Sequence, residues 1–179
     1  MSTFLFPDNT VLCNFAAVER LDLLETVLNG RGRWTAAVAF EAGRSARFLP
    51  ALARIAVEGW LAEPIEITAE RDVQHVNRVR RAVFGGTDDE PLRHLGEAET
   101  CFVIKELTEF AGSWWISDDG EAMRYARFQG IMTYETVDLM STAVGNGDIT
   151  EQQAFDVMNL MRDKGRSLGL PRSASDLRR

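Results

Sequence analysis

The stretch Phe4-Leu5-Phe6-Pro7-Asp8-Asn9-Thr10-Val11-Leu12 constrains the fold more than any other. An apolar run delivers an aspartate, and a helical pattern begins at once, which is the order of a buried parallel strand feeding a helix. Thr3–Phe6 reads as that strand, with Asp8 at its carboxyl edge, where ligands bind in open α/β sheets. Acids recur at comparable strand-to-helix places further on: Glu41, the pair Glu97 and Glu99, and the pair Asp118 and Asp119. We expect them to gather into one acidic, metal-binding pocket.

Helical spacing then organises most of the chain. Phe15, Val18, Leu21, Leu24 and Leu28 form one apolar face across Asn14–Asn29, with Asn29-Gly30 as a stop. Thr35 reads as the N-cap of a helix running to Leu49 and closed by Pro50, and Ala51–Leu61 as a further helix. Ile65–Thr68 is expected as a short strand, Glu70–Val83 as a polar helix, and Gly85–Pro91 as a loop. Leu95–Phe110 reads as a helix, Trp114–Ser117 as a buried strand, and the chain from Asp118-Asp119 to Gln129 as the helix that follows. Ile131–Thr133 is the last expected strand. Helices over Glu135–Val144 and Glu151–Lys164 close the pattern, the second opened by the capping box Thr150-Glu151-Gln152-Gln153. Strands alternating with helices imply an α/β domain, a three-layer sandwich with helices on both faces of a mainly parallel sheet. Residues 1–165 form this single domain, and residues 166–179, short of apolar side chains, a flexible tail.

Composition narrows the function classes. The 179 residues suffice for one buried core. No apolar run reaches the roughly 20 residues that span a bilayer, and no secretory leader is evident. Cys13 and Cys101 lack metal-ligand spacing and read as reduced thiols, so we expect a cytoplasmic protein. The net charge of −7 argues against nucleic-acid binding by global charge, though not against a nuclease whose acids face bound cations. Carboxylates suit magnesium or manganese, hard cations that prefer oxygen ligands, and they repel one another unless such a cation is present. The two histidines, His75 and His94, are not in zinc-like spacing.

These motifs, taken together, resemble the PIN-domain nucleases, whose bacterial members are often toxins of VapC-type toxin–antitoxin pairs. Phe4–Leu12 resembles the family's opening strand with its first acid, Asp8, and Ala37-Val38-Ala39-Phe40-Glu41 the segment bearing the second. Leu95-Gly96-Glu97-Ala98-Glu99 is similar to the "GEAE" helix start of one subgroup. Ile116-Ser117-Asp118-Asp119, continuing to Ala122-Met123-Arg124, is similar to its "DD…aR" segment, and Gly147–Thr150 to its "G-D-I-T" start. The chain departs from the pattern after the last strand, where it reads Met132-Thr133-Tyr134-Glu135-Thr136 in place of a Gly-Thr turn. It departs again between Trp60 and Leu92, which is longer and more charged. The resemblance implies a Mg²⁺- or Mn²⁺-dependent endoribonuclease in which water attacks a phosphodiester in line, leaving a 3′-hydroxyl and a 5′-phosphate. Asp8 and one of Asp118 and Asp119 would ligate the metal. Glu41 and Glu97, with Glu99 as a further candidate, would ligate directly or through water, and Asn9 or Thr10 would hydrogen-bond a carboxylate or phosphate. RNA is the implied substrate and a protein antitoxin the implied partner.

Each residue also has a plainer reading. Asp8, Asp118 and Asp119 can cap helices, Glu41 can pair with Arg44 or Arg47, and Glu97 and Glu99 suit a helix's first turn. Arg71, Arg78, Arg80 and Arg81 are either a phosphate-tracking face or a solvated one. Trp114-Trp115 is either a base-stacking surface or core. The Phe15–Leu28 face is either a homodimer or antitoxin surface or ordinary core. Two other functions compete: a PIN-like binding module without catalysis, and a haloacid-dehalogenase-like phosphatase. The latter would need an aspartate where Thr10 stands.

Overall fold

In the computed structural model, which describes residues 3–178, the sheet is short and wholly parallel. Strands β1 (Leu5–Pro7), β2 (Trp114–Ile116) and β3 (Met132–Tyr134) lie side by side in that order, with Leu5 opposite Trp114 and Trp114 opposite Met132. Single parallel bridges, Leu5 to Gly32 and Thr35 to Ile65, carry the hydrogen bonding beyond β1. The strand expected over Ile65–Thr68 contracts to that one bridge. Both faces of β1 and β2 are apolar, as buried parallel strands require.

Helix α1 (Asn9–Ala17) leaves β1 directly, and α2 (Leu21–Leu28) follows. The single helix expected over Asn14–Asn29 is therefore two. The Glu19 N–H bonds the Ala16 carbonyl and the Arg20 N–H bonds the Phe15 carbonyl, with Glu19 at φ 56°. This is a left-handed helix stop of the kind usually marked by glycine, so the sequence carries no sign of it. Helix α3 (Ala36–Ser45), capped by Thr35, stops before Leu49, and Pro50 opens a 3₁₀ turn leading into α4 (Ala53–Glu58). Then come α5 (Glu70–Ala82) and α6 (Leu95–Glu106), α7 (Gly120–Phe128) after β2, and α8 (Thr136–Asn146) and α9 (Glu151–Asp163) after β3.

Alternation along the strands divides the core. Leu5 and Ile116 join residues of α1, α2, α8 and α9, whereas Phe6 and Trp115 join residues of α5, α6 and α7. The Phe15–Leu28 face lies in the first cluster, with Phe15, Leu24 and Leu28 almost wholly buried, so it is core and not a free surface. Trp115 is buried in the second, and Trp114 packs edge-on against Tyr134 at 4.4 Å between ring centroids. Beyond α9, Gly165 reverses the chain at φ 77°, and the stretch after it carries a 3₁₀ turn, Ala174–Leu177, with Leu177 fully buried.

The most basic stretch divides unexpectedly. Arg71 and Arg78 are exposed, but Arg80 is buried to 2% exposure. Its Nη1 donates to the carbonyls of Thr87, Glu90 and Arg93 at 3.0, 3.1 and 3.4 Å, so one guanidinium holds the whole 87–93 loop. Gly86 makes this possible, since a Cβ there would lie 2.6 Å from that same nitrogen. A buried arginine satisfied by carbonyls leaves all of them unpaired when it is removed. Arg80→Ala is expected to lower unfolding free energy by about 3 kcal/mol. Arg81→Ala, at a half-exposed neighbour, is expected to change it by less than about 0.5 kcal/mol. Urea unfolding of both variants checks this, and equal losses would mean that the loop is not held by Arg80.

Candidate functional site

The candidate site is assembled from four elements. Asp8 follows β1, Glu41 lies in the middle of α3, Glu97 lies in the first turn of α6, and Asp118 follows β2. Only Asp8 and the Asp118-Asp119 pair stand at strand-to-helix junctions. Glu41 and Glu97 arrive instead by the packing of α3 on α6, which depends on Gly96: a Cβ there would lie 3.1 Å from Glu41 Oε1 and equally near Val38 Cγ2.

Asp8 is 8% exposed and fixed on both oxygens. Oδ1 accepts from the Thr10 hydroxyl at 2.6 Å and from the Val11 N–H at 2.9 Å, and Oδ2 accepts a short hydrogen bond from the Ser117 hydroxyl. It therefore caps α1 and faces the site together, so the plain and functional readings coincide. Asp118 is held as firmly. Its Oδ2 accepts from Asn14 Nδ2 at 2.8 Å and from the Thr136 hydroxyl at 2.5 Å, and its Oδ1 from the Thr136 N–H at 3.0 Å. Asn14 is fully buried and accepts in turn from Arg166 Nε at 3.1 Å. The turn at Gly165 thus brings the Arg166 guanidinium to Asn14, the residue that donates to Asp118.

The structure separates the two ambiguous pairs. Asp119 is exposed and caps α7 through the N–H groups of Glu121 and Ala122, leaving Asp118 as the inward acid. Glu99 accepts from the Ala37 N–H at 3.0 Å and serves the N-terminus of α3, whereas Glu97 lines the open cleft beside Glu41. His94 Nε2 accepts from Arg93 Nε at 3.3 Å, which leaves Nδ1 to donate to Glu97 Oε1 at 3.1 Å. Thr10 bonds a site carboxylate as expected, while Asn9 donates to Ser45 at 3.2 Å. Glu41 forms no ion pair with Arg44 or Arg47 among the described residues.

Burial and mutual repulsion set the electrostatics. Burial pushes the Asp8 carboxyl up to about 6 against the pull of its three hydrogen bonds, and the charge of Asp118 adds to the rise. Burial, followed by the charges of Glu97 and Asp8, pushes Glu41 up to about 8, with the Gly96 N–H pulling the other way. Burial also raises Asp118 and Glu99, each partly offset by its hydrogen bonds. Glu41 and Glu97 open onto a cleft of about 800 Å³ that also takes in Arg44, Arg47, Phe48 and Arg93. As the side chains stand, no three His, Cys, Asp or Glu groups among the described residues converge tightly enough to grasp a metal ion.

No known family model, curated protein or solved structure matches this chain.

Asn14, Ser117, Thr136 and Arg166 are the site residues that motif reading missed. Only Asn14, a polar residue on an otherwise apolar helical face, carried a sequence signal.

A raised carboxyl means that the folded protein holds a proton the unfolded chain has already released. The contribution of Asp8 and Glu41 to the stability of the metal-free protein is therefore fully present near pH 4 and is lost as pH rises to about 8. Glu41→Gln is expected to stabilise the metal-free protein at pH 8.5 by about 2 kcal/mol, with little effect at pH 4.5. Denaturant unfolding in EDTA at the two pH values tests this. A Gln variant no more stable than wild type at pH 8.5 would show that Glu41 is not repelled in the fold.

Proposed function

We propose that this protein is a Mg²⁺- or Mn²⁺-dependent endoribonuclease with a three-layer α/β/α, PIN-like architecture. We further propose that it is the toxin component of a toxin–antitoxin pair, acting in the cytoplasm. The observation that supports this most is a chain of acids that feel one another's charge, Asp118 with Asp8, Asp8 with Glu41 and Glu41 with Glu97, of which Glu41 and Glu97 line an open cleft. Buried capping aspartates need no acidic neighbours. These have them, and the repulsion helps raise Glu41 far above an ordinary glutamate.

The donor set fits a hard divalent cation, being made of carboxylate oxygens, with the neighbouring His94 ring donating to Glu97 and not offering a free nitrogen to a metal. Asp8 and Asp118 would hold the ion, with Glu41 and Glu97 joining directly or through water. Bound there, it would supply Lewis acidity toward a water and a phosphodiester oxygen. The chain's own groups do the rest. Ser117, Thr10 and the Val11 N–H fix the orientation of Asp8, and Asn14 and Thr136 fix that of Asp118. Beside a held cation Glu41 would be ionised, and its carboxylate, lining the cleft, would be placed to accept a proton from a water there. Arg166, reaching the site through Asn14, offers positive charge beside the acids. An antitoxin would silence such a site by presenting an arginine or lysine to the acids.

Purified protein is expected to cut a mixed RNA pool in Mg²⁺ or Mn²⁺ but not in EDTA. Asp8→Ala is expected to lose more than the roughly 10–100-fold that removal of an outer-shell partner costs. Equal cutting by wild type and variant would refute the site. No cutting by either would leave the alternative reading, a PIN-like module that binds without catalysis.

A further inference from the structure

A polyanionic substrate would meet three acids in the cleft, Glu41, Glu97 and Glu90, on a chain whose net charge is −7. Some local feature must reverse that repulsion. The cleft wall formed by the end of α3 is the part of the lining that can. Arg44 lies in the last turn of α3, and Arg47 follows three residues later, its N–H bonded to the Arg44 carbonyl at 3.3 Å. Both are exposed, and among the described residues neither guanidinium has an ion pair or hydrogen bond, although Glu41 is three residues from Arg44 on the same helix. By contrast Arg93, on the opposite wall, is spent on Glu90 at 2.9 Å. Beside Arg47 stands Phe48, 86% exposed and lining the same cleft.

We propose that Arg44, Arg47 and Phe48 form a strand-gripping rim for single-stranded RNA. The arginines would take successive phosphates and the Phe48 ring would stack on an unpaired base. The inference rests on the nuclease reading and assigns substrate-positioning residues to that site. Two unpaired cations with a solvent-facing aromatic ring are the standard elements of a single-strand track. A stacking ring needs a base whose face is free, which a duplex does not offer. The arginines are positioning residues. They lie on the cleft wall, outside the acidic group, and act by holding the strand across it.

The test is binding of a fluorescein-labelled single-stranded RNA 12-mer to the full-length Asp8→Asn protein in Mg²⁺, read by anisotropy over a range of salt. On that background, Arg44→Gln with Arg47→Gln is expected to weaken binding and to flatten the log–log salt slope by about 1.4, at about 0.7 for each phosphate no longer neutralised. Phe48→Ala is expected to weaken binding about tenfold with the slope unchanged. Arg71→Gln with Arg78→Gln on α5 removes the same charge elsewhere and is expected to leave the slope nearly as it was. Circular dichroism melting of each variant shows that it is folded. Rim variants indistinguishable from the α5 control would overturn the proposal while leaving the nuclease reading intact. Duplex RNA or polyglutamate competing as well as single-stranded RNA would overturn the assignment of the ligand. Absence of binding by the parent Asp8→Asn protein would count against the nuclease reading itself.

Discussion

Desolvation of neighbouring carboxylates, with their repulsion added, is the constraint on which the candidate site depends. Asp8, Asp118 and Glu41 are held where burial, helped by neighbouring negative charge, raises their carboxyls. The β1–β2 register sets Asp8 beside Ser117, next to Asp118, and the close approach of α3 to α6 at Gly96 brings Glu41 to Glu97. Hydrogen bonds from Ser117, Thr10, Thr136 and Asn14 spend all four oxygens of Asp8 and Asp118 on fixed donors. What these donors do not compensate is visible at Glu41, which is left high in pKa with one backbone N–H in its favour. Strain of this kind belongs at functional sites, where a ligand relieves it.

Two arginines show how charge is used around that site. Arg80 is wholly structural, gathering the carbonyls of the loop that forms one wall of the cleft. Arg166 comes from the turn after α9 and closes on Asn14, tying that turn to the carboxylate that follows β2. Arg44 and Arg47, by contrast, stand where the cleft opens and leave their charge to the solvent. Position decides what each cation does, and net charge alone would have hidden this.

The places of β1, β2 and β3 were legible because each is a short run bounded by turn residues, but the regular alternation expected of strands and helices does not hold, since α1 to α6 all lie between β1 and β2. Asp8 was legible because a polar residue directly after a buried strand must be capping, binding, or both. The break between α1 and α2 was not, because Glu19 takes a left-handed conformation where glycine would have announced it. Asp118 and Asp119 were indistinguishable by type, since either can cap a helix, and it is Asn14 and Thr136, distant in sequence, that engage Asp118 while Asp119 caps α7. Arg80 was misleading for a related reason. Its neighbours on α5 are solvated, and the carbonyls that bury it come from a loop whose path the sequence does not specify. Glu97 and Glu99 both lie near the start of α6, and the N-terminus of α3 decides that Glu99 is the one engaged there.

If the four acids are held together for a divalent cation, the cation binds the folded state alone. Such a ligand raises the melting temperature as its concentration rises. The most direct measurement is thus the melting temperature of EDTA-stripped protein at pH 7.5 across a Mn²⁺ titration, with Asp8→Asn and Asp118→Asn alongside. The expected result is a saturating rise for wild type that is absent or strongly reduced in both variants. A wild-type melting temperature indifferent to Mn²⁺, or a rise that both variants share in full, would contradict a shared metal site.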